Sequence, residues 1–191
     1  MTTYITSDLH FHHKNVCKFT DRHKVVQQEH HEEWLIDIWN STVQKSDKIF
    51  HLGDFTFLTK YDEITALVKK LSGQKFFVKG NHDRTKVLDQ LKKDNLIQNW
   101  YHYEEIKIGE VPVCLFHFPI ASWHKVGYGA WHLHGHSHGS FTTGQGKILD
   151  VGIDSAYNIF GKHKFFSEQD IIEYMLAREV KTVDHHRIIE M

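Results

Sequence analysis

Apolar residues in this chain fall into short runs whose spacing alternates between that of a strand and that of a helix. Thr2 to Ser7, Lys48 to Leu52 and Lys75 to Lys79 are short and rich in β-branched or aromatic residues, and each predicts a buried strand. Between the first two, Trp34, Leu35, Ile38 and Trp39 recur at helical spacing within Glu29 to Val43. After the second, Ile64, Leu67, Val68 and Leu71 mark one face of a helix over Tyr61 to Leu71, and Thr85 to Lys93 predicts another. Alternating strands and helices are the pattern of a parallel sheet. From Trp100 onward the elements shorten, with strands expected near Glu104 to Ile108, Val111 to Phe116, Ala130 to His134 and Lys147 to Val151. Ser167, with Asp170 three residues on and Ile171, Ile172 and Met175 behind it, predicts a capped final helix. The last dozen residues carry no clear pattern. Two layers of sheet with helices outside are expected, and no repeat or linker divides the chain, so residues 1–191 read as one domain.

Five of the apolar runs end in a turn that carries Asp, Asn or His. Tyr4-Ile5 leads to Asp8 and His10, Ile49 to Leu52 leads to Gly53-Asp54, and Phe76 to Val78 leads to Gly80-Asn81-His82-Asp83. Val113 to Phe116 leads to His117, and Trp131 to Leu133 leads to Gly135-His136-Ser137-His138. Buried strands followed by polar turns bring such groups to one sheet edge, where open α/β folds bind their ligands. Singly the turns are ordinary, since Asp-x-His also occurs at turns and helix caps and Gly-Asp marks tight turns. Together they offer two carboxylates, one amide and four imidazoles. That set is too large for one tetrahedral ion and suits two ions that share a carboxylate. Mixed carboxylate and imidazole donors favour manganese, iron, zinc, nickel or cobalt over calcium or magnesium, which prefer all-oxygen cages.

Composition narrows the class. A formal charge of −1 provides no global field toward nucleic acid or an anionic membrane. Met1 to His10 lacks a basic flank with a long apolar segment, and no apolar stretch approaches the roughly 18 residues of a membrane span. Cys17 and Cys114 lie far apart and form no C-x-x-C pair, which fits reduced thiols in a cytoplasmic protein. The 18 histidines are the outlier, yet His12-His13, His30-His31 and His185-His186 are isolated pairs, too sparse for metal storage.

The five turns spell D-x-H, G-D, G-N-H-D, H and G-H-S-H, a series that resembles the calcineurin-like metallophosphoesterase superfamily from Asp8 to His138. Ser7-Asp8-Leu9-His10-Phe11, followed by His13 and Asn15, is similar to its small bacterial and phage-type members, as is Asp150-Val151-Gly152-Ile153-Asp154. The resemblance implies an α/β fold, a four-layer αββα sandwich with metals where the strands end. It implies that Asp8, His10 and His138 hold one divalent ion, that Asn81, His117 and His136 hold the other, and that Asp54 bridges them. Manganese is the first expectation, with nickel, iron, zinc or cobalt as alternatives. A hydroxide generated between the ions would attack phosphorus, and His82 is the expected catalytic residue, holding phosphoryl oxygens and protonating the departing one. Asp83 is expected to orient the His82 ring.

Departures from the pattern refine the substrate. After Gly53-Asp54 the chain reads Phe55-Thr56-Phe57, and Lys79 precedes Gly80, where Ser/Thr protein phosphatases of the superfamily carry a second Asp and Arg residues. A protein phosphatase is therefore disfavoured. The expected substrates are phosphate esters, with phosphodiesters of nucleotide or nucleic-acid type ahead of small phosphomonoesters. A non-catalytic scaffold stands third, because every expected position is filled. His13 and Asn15 either line the substrate end of the site, or His13 serves only to cap a helix or stack on a ring. Lys14, Lys18, Arg22, Lys24, Arg84 and Lys86 read as solvated surface or as a rim that attracts a polyanion, and Trp123, Tyr128 and Trp131 as packing or base-stacking residues.

Overall fold

The computed structural model describes residues 1–141 and 146–181. In chain order the strands are β1 (Thr3–Thr6), β2 (Lys48–His51), β3 (Gln74–Val78), β4 (Asn99–Tyr101), β5 (Tyr103–Ile108), β6 (Val111–Phe116), β7 (Trp131–His134), β8 (Ile148–Asp150) and β9 (Phe166–Ser167). The helices are α1 (Val16–Phe19), α2 (His31–Thr42), α3 (Tyr61–Lys70), α4 (Thr85–Lys93), α5 (Ile153–Phe160) and α6 (Glu168–Leu176). Every strand and helix expected from the apolar spacing is present. The short strands β4 and β9 and the helices α1 and α5 go beyond that expectation. The His185-His186 pair and the patternless final residues lie outside the described residues.

One sheet runs β4-β3-β2-β1-β9, with β1 to β4 parallel and β9 antiparallel to β1. The other runs β5-β6-β7-β8, where β6 to β8 are parallel and β5 is antiparallel to β6. Alternation along the strands sorts the core into layers. Ile49 and Phe77 pack outward with Leu35, Trp39, Ile64, Leu67 and Leu88 of α2, α3 and α4. Ile5, Phe50 and Val78 pack inward against Val113, Leu115, Trp131 and Leu133 of the second sheet. Cys114 and Ile148 share a third cluster with Trp123 and Val126. Trp123 and Trp131 are thus packing residues, whereas Tyr128 is exposed. The result is the expected α/β sandwich of two sheets flanked by helices.

Helix boundaries follow local chemistry. Ser167 and Asp170 form a reciprocal capping box at the start of α6, as the sequence predicts. Helix α5 ends at Gly161, whose left-handed φ of 69° closes the last turn. At the functional edge the ladder outlasts the strands. Asp8 N donates to Gly53 O at 3.0 Å and His10 N to Asp54 O at 3.1 Å, so the loops after β1 and β2 run side by side. A bridge between Ser7 and Gly152 joins this edge to the second sheet.

Candidate metal centre

Asp8, His10 and His138 each present a ligand atom within 4.8 Å of one another, and Asp54, His117 and His136 do the same. Asn81 completes the second group, with Oδ1 2.9 Å from His117 Nε2 and 3.1 Å from His136 Nδ1. Asp54 stands between the groups, its Oδ2 3.8 Å from His10 Nε2 and 3.6 Å from His117 Nε2. His82 Nε2 is also 3.8 Å from that oxygen, on a side chain 46% exposed. All eight residues singled out in the sequence meet at this edge.

Reaching the edge requires uncommon backbone geometry. Asp8, His10, Asp54, His136 and His138 have φ between 47° and 69°. That left-handed region costs a non-glycine residue about 1–2 kcal/mol, although Asp and His are among the side chains found there most often. Strain gathered at converging polar residues is a mark of function. Two glycines allow the loops to close together. A Cβ on Gly80 would collide with the Asp54 carboxylate, and one on Gly135 with Ser7 Oγ and Asp8 Oδ2.

Asp83 acts on backbone, which corrects its expected role. Its Oδ2 accepts from Asp54 N and Gly80 N at 2.9 Å each, and its Oδ1 accepts from Phe55 N at 3.1 Å. Adjacent side chains on a turning backbone diverge, so Asp83 faces the loop after β2 while His82 faces solvent. His82 is instead fixed through its own amide, which donates to Asp54 Oδ1 at 2.9 Å. His13 takes the ring-stacking place considered for it. Its Nδ1 accepts from Asn15 N at 3.2 Å, and its ring lies edge-on to Phe57 and to His10 at centroid distances of 4.3 and 5.7 Å.

The donor set lacks a positive partner. Asp8 Oδ2 accepts from His136 N at 2.8 Å, but Oδ1 and both ring nitrogens of His10 are buried without a hydrogen bond. Burial pushes the Asp8 carboxyl up to about 8, with His138 opposing the rise. Burial, reinforced by His138, pushes His10 down to about 2. In the second group His117 Nδ1 donates to Leu52 O at 2.7 Å, which leaves Nε2 as a lone pair facing the oxygen of Asn81. Acceptor atoms aimed at one another, and a buried carboxylate oxygen without a donor, are relieved by a cation. Each group therefore fits a divalent ion.

The calcineurin-like phosphoesterase family profile matches residues 1–188. The chain belongs to that family. It is 30% identical over 159 residues to the uncharacterized protein MJ1445 of Methanocaldococcus jannaschii, across 79% of this chain and 81% of that one. It is 24% identical over 205 aligned positions to the gene 66 protein of Mycobacterium phage L5, across 93% of this chain and 97% of that one. The crystal structure of the protein AQ665 from Aquifex aeolicus shares the fold, with a TM-score of 0.66 and 22% identity over 91% of this chain and 98% of that one. Family membership makes this a metal-dependent phosphoesterase in class.

Behind the first group, this phosphoesterase carries a support that sequence reasoning missed. His138 Nδ1 donates to Asp154 Oδ2 at 2.7 Å. Arg22 grips the same carboxylate, from Nε to Oδ1 at 2.9 Å and from Nη2 to Oδ2 at 2.8 Å. Arg22 also donates to the carbonyls of Asp8 at 2.6 Å and Leu9 at 2.8 Å. Its exposure is 0%, which overturns its reading as a surface or rim base. A guanidinium with several fixed acceptors is satisfied in the interior, where a solvated charge is not required. Burial works against the Asp154 charge, but Arg22 and His138 outweigh it and hold the carboxyl well below the usual range.

Proposed function

We propose that this phosphoesterase is a two-metal phosphodiesterase acting on esters of nucleotide or nucleic-acid type. The observation that carries the reading is the convergence of two ligand groups on one carboxylate, Asp54. Asp8, His10 and His138 would hold one ion, Asn81, His117 and His136 the other, and Asp54 both. Manganese is the expected metal, with nickel, iron, zinc and cobalt as alternatives for the same donors. Such cations supply Lewis acidity at phosphoryl oxygens and bring the pKa of water to near 7.

The chain's own groups do the rest. His82, exposed at the mouth and tied by its amide to Asp54 Oδ1, holds a phosphoryl oxygen and delivers a proton from its ring to the departing oxygen. The Asn81 amide fixes one side of the site through its oxygen, and its NH₂ remains to donate to phosphate.

The disposition of basic residues favours diesters over dianionic monoesters. Arg84 donates to Thr59 O at 2.7 Å, Lys79 to Gly80 O at 2.9 Å, and Arg22 is buried. None of these is directed at a phosphoryl dianion, the usual task of an arginine or lysine at such a site. Cys17 and Cys114 are buried free thiols, in keeping with a cytoplasmic location. Among the described residues no helix is long and apolar enough to cross a membrane.

The test is hydrolysis of p-nitrophenyl phosphate and bis-p-nitrophenyl phosphate by metal-stripped protein with Mn²⁺, Ni²⁺, Zn²⁺ or Mg²⁺ restored. Metal-dependent cleavage with the diester ahead is the expected result. Faster cleavage of the monoester would reverse the substrate class. No cleavage of either ester by protein shown to hold two ions would move the reading to a highly selective natural substrate or to the non-catalytic scaffold.

A further inference from the structure

Beside the first ligand group the surface opens into a cavity of about 380 Å³. His138 and Asp154 form part of its lining, and the segment from Lys18 to Asp21 at the end of α1 forms another. The volume lies within the range of small-molecule pockets. Its position makes it the space that one arm of an ester would enter once the phosphate sits near His138.

The lining is specific in kind. Phe19 keeps 60% of its surface exposed while its ring stands edge-on to His13 and His138, at centroid distances of 5.4 and 6.2 Å. The two carboxylates of the lining are already matched, Asp21 by Lys24 at 3.0 Å and Asp154 by Arg22 at 2.8 Å. Lys18 has no carboxylate partner among the described residues, so the local balance is positive. Much of the remaining lining is polar, including Thr20, Ser140 and Asn158. An aromatic ring next to an unpaired cation is the combination that holds an unstacked nucleotide, the ring for the base and the charge for the backbone. A lipid diester would need an apolar continuation, which these walls do not provide.

We propose that this cavity is the subsite for the nucleoside arm of a phosphodiester, with the base stacked on Phe19 and Lys18 supplying the local positive charge. The inference rests on the phosphodiesterase reading and deepens it by naming where substrate identity is read.

Two esters isolate the arm. Thymidine 5′-(p-nitrophenyl phosphate) and methyl p-nitrophenyl phosphate share a leaving group and differ only in the nucleoside. For the metal-loaded protein, kcat/KM for the thymidine ester is expected to exceed that for the methyl ester by about tenfold. Phe19→Ala is expected to bring the ratio near one, and Phe19→Tyr to keep it. Calorimetric binding of thymidine 5′-monophosphate against deoxyribose 5-phosphate reads the same preference without turnover, and Phe19→Ala should abolish it there too. Equal kcat/KM for the two esters, or a preference that survives Phe19→Ala, overturns the subsite and leaves the phosphodiesterase reading standing. Cleavage of neither ester, with the binding preference intact and dependent on Phe19, overturns the phosphodiesterase reading and keeps the subsite. Absence of both cleavage and preference overturns both.

Discussion

His138 donates from Nδ1 to Asp154 at 2.7 Å, and this bond decides which ring nitrogen of His138 faces the first ligand group. With the proton held on Nδ1, the lone pair of Nε2 is left for an ion, and the carboxylate behind the ring raises its basicity. Arg22 extends the chain of contacts from Asp154 to the carbonyls of Asp8 and Leu9. The loop after β1 and the loop after β7 are thereby held in one frame.

Asp154→Ala should therefore weaken metal binding in one group only. A carboxylate behind a ligating imidazole is typically worth about 10–100-fold in affinity. At limiting Mn²⁺, elemental analysis is expected to find close to one ion per chain where the parent protein holds two. Retention of two ions at the parent affinity would show that Asp154 does not position His138.

Arg22→Met is expected to act on the fold itself. It leaves the Asp154 carboxylate, only 4% exposed, without its guanidinium. Removing one partner of a buried pair costs about 3–5 kcal/mol, and urea unfolding of the metal-stripped protein would read the loss directly. Arg22→Lys should recover little, because a single ammonium cannot span the carboxylate and the two carbonyls together. A loss below about 1 kcal/mol would mean that desolvation of the pair nearly cancels its attraction.

His82 and Asp54 separate catalysis from coordination. His82→Ala should retain both ions and lower kcat by about 10²–10⁴-fold, the usual worth of a positioned acid or base. Asp54→Ala should lose metal and activity together, since its Oδ2 faces His10, His82 and His117. Elemental analysis of the two variants beside their turnover separates these roles. Loss of both ions in His82→Ala would overturn its assignment to catalysis alone, and two ions retained in Asp54→Ala would contradict its role as the bridge.

What the sequence made legible follows from the range of each interaction. Apolar spacing is local, so β1, β2, β3 and the helix of Thr85–Lys93 were readable from their own residues. The residues of the centre were readable because each follows a strand in a short polar turn. Arg22 was not, since it lies 132 residues from Asp154 and sits in a segment with Lys18 and Lys24, where a charged residue reads as solvated. Strand β9 has two residues, too few for any period, and exists through its pairing with β1. Helix α5 did leave a trace, in the spacing of Ile153, Ala156, Tyr157 and Phe160 before Gly161, but its first turn falls within the Asp150 to Asp154 block that drew the reading toward a motif.

Buried histidines away from the ligand set predict how stability changes with pH. His51 lies against Phe55 and Phe77 with neither ring nitrogen hydrogen-bonded, and burial pushes its pKa down to about 3. Burial pushes His132 down to about 4. In the unfolded chain both titrate near about 6.5. Above that pH both states are neutral and the stability is fully present. As pH falls below it, the unfolded chain takes up protons that the folded chain refuses, so stability declines by about 1.4 kcal/mol per pH unit for each such histidine until its folded pKa is reached. Urea midpoints of the metal-stripped protein should fall steadily from pH 7 to pH 4.5, and His51→Leu, which removes one titrating ring from an apolar site, should make that decline shallower. A decline that His51→Leu leaves unchanged would show that the His51 ring takes up its proton as readily in the folded chain as in the unfolded one.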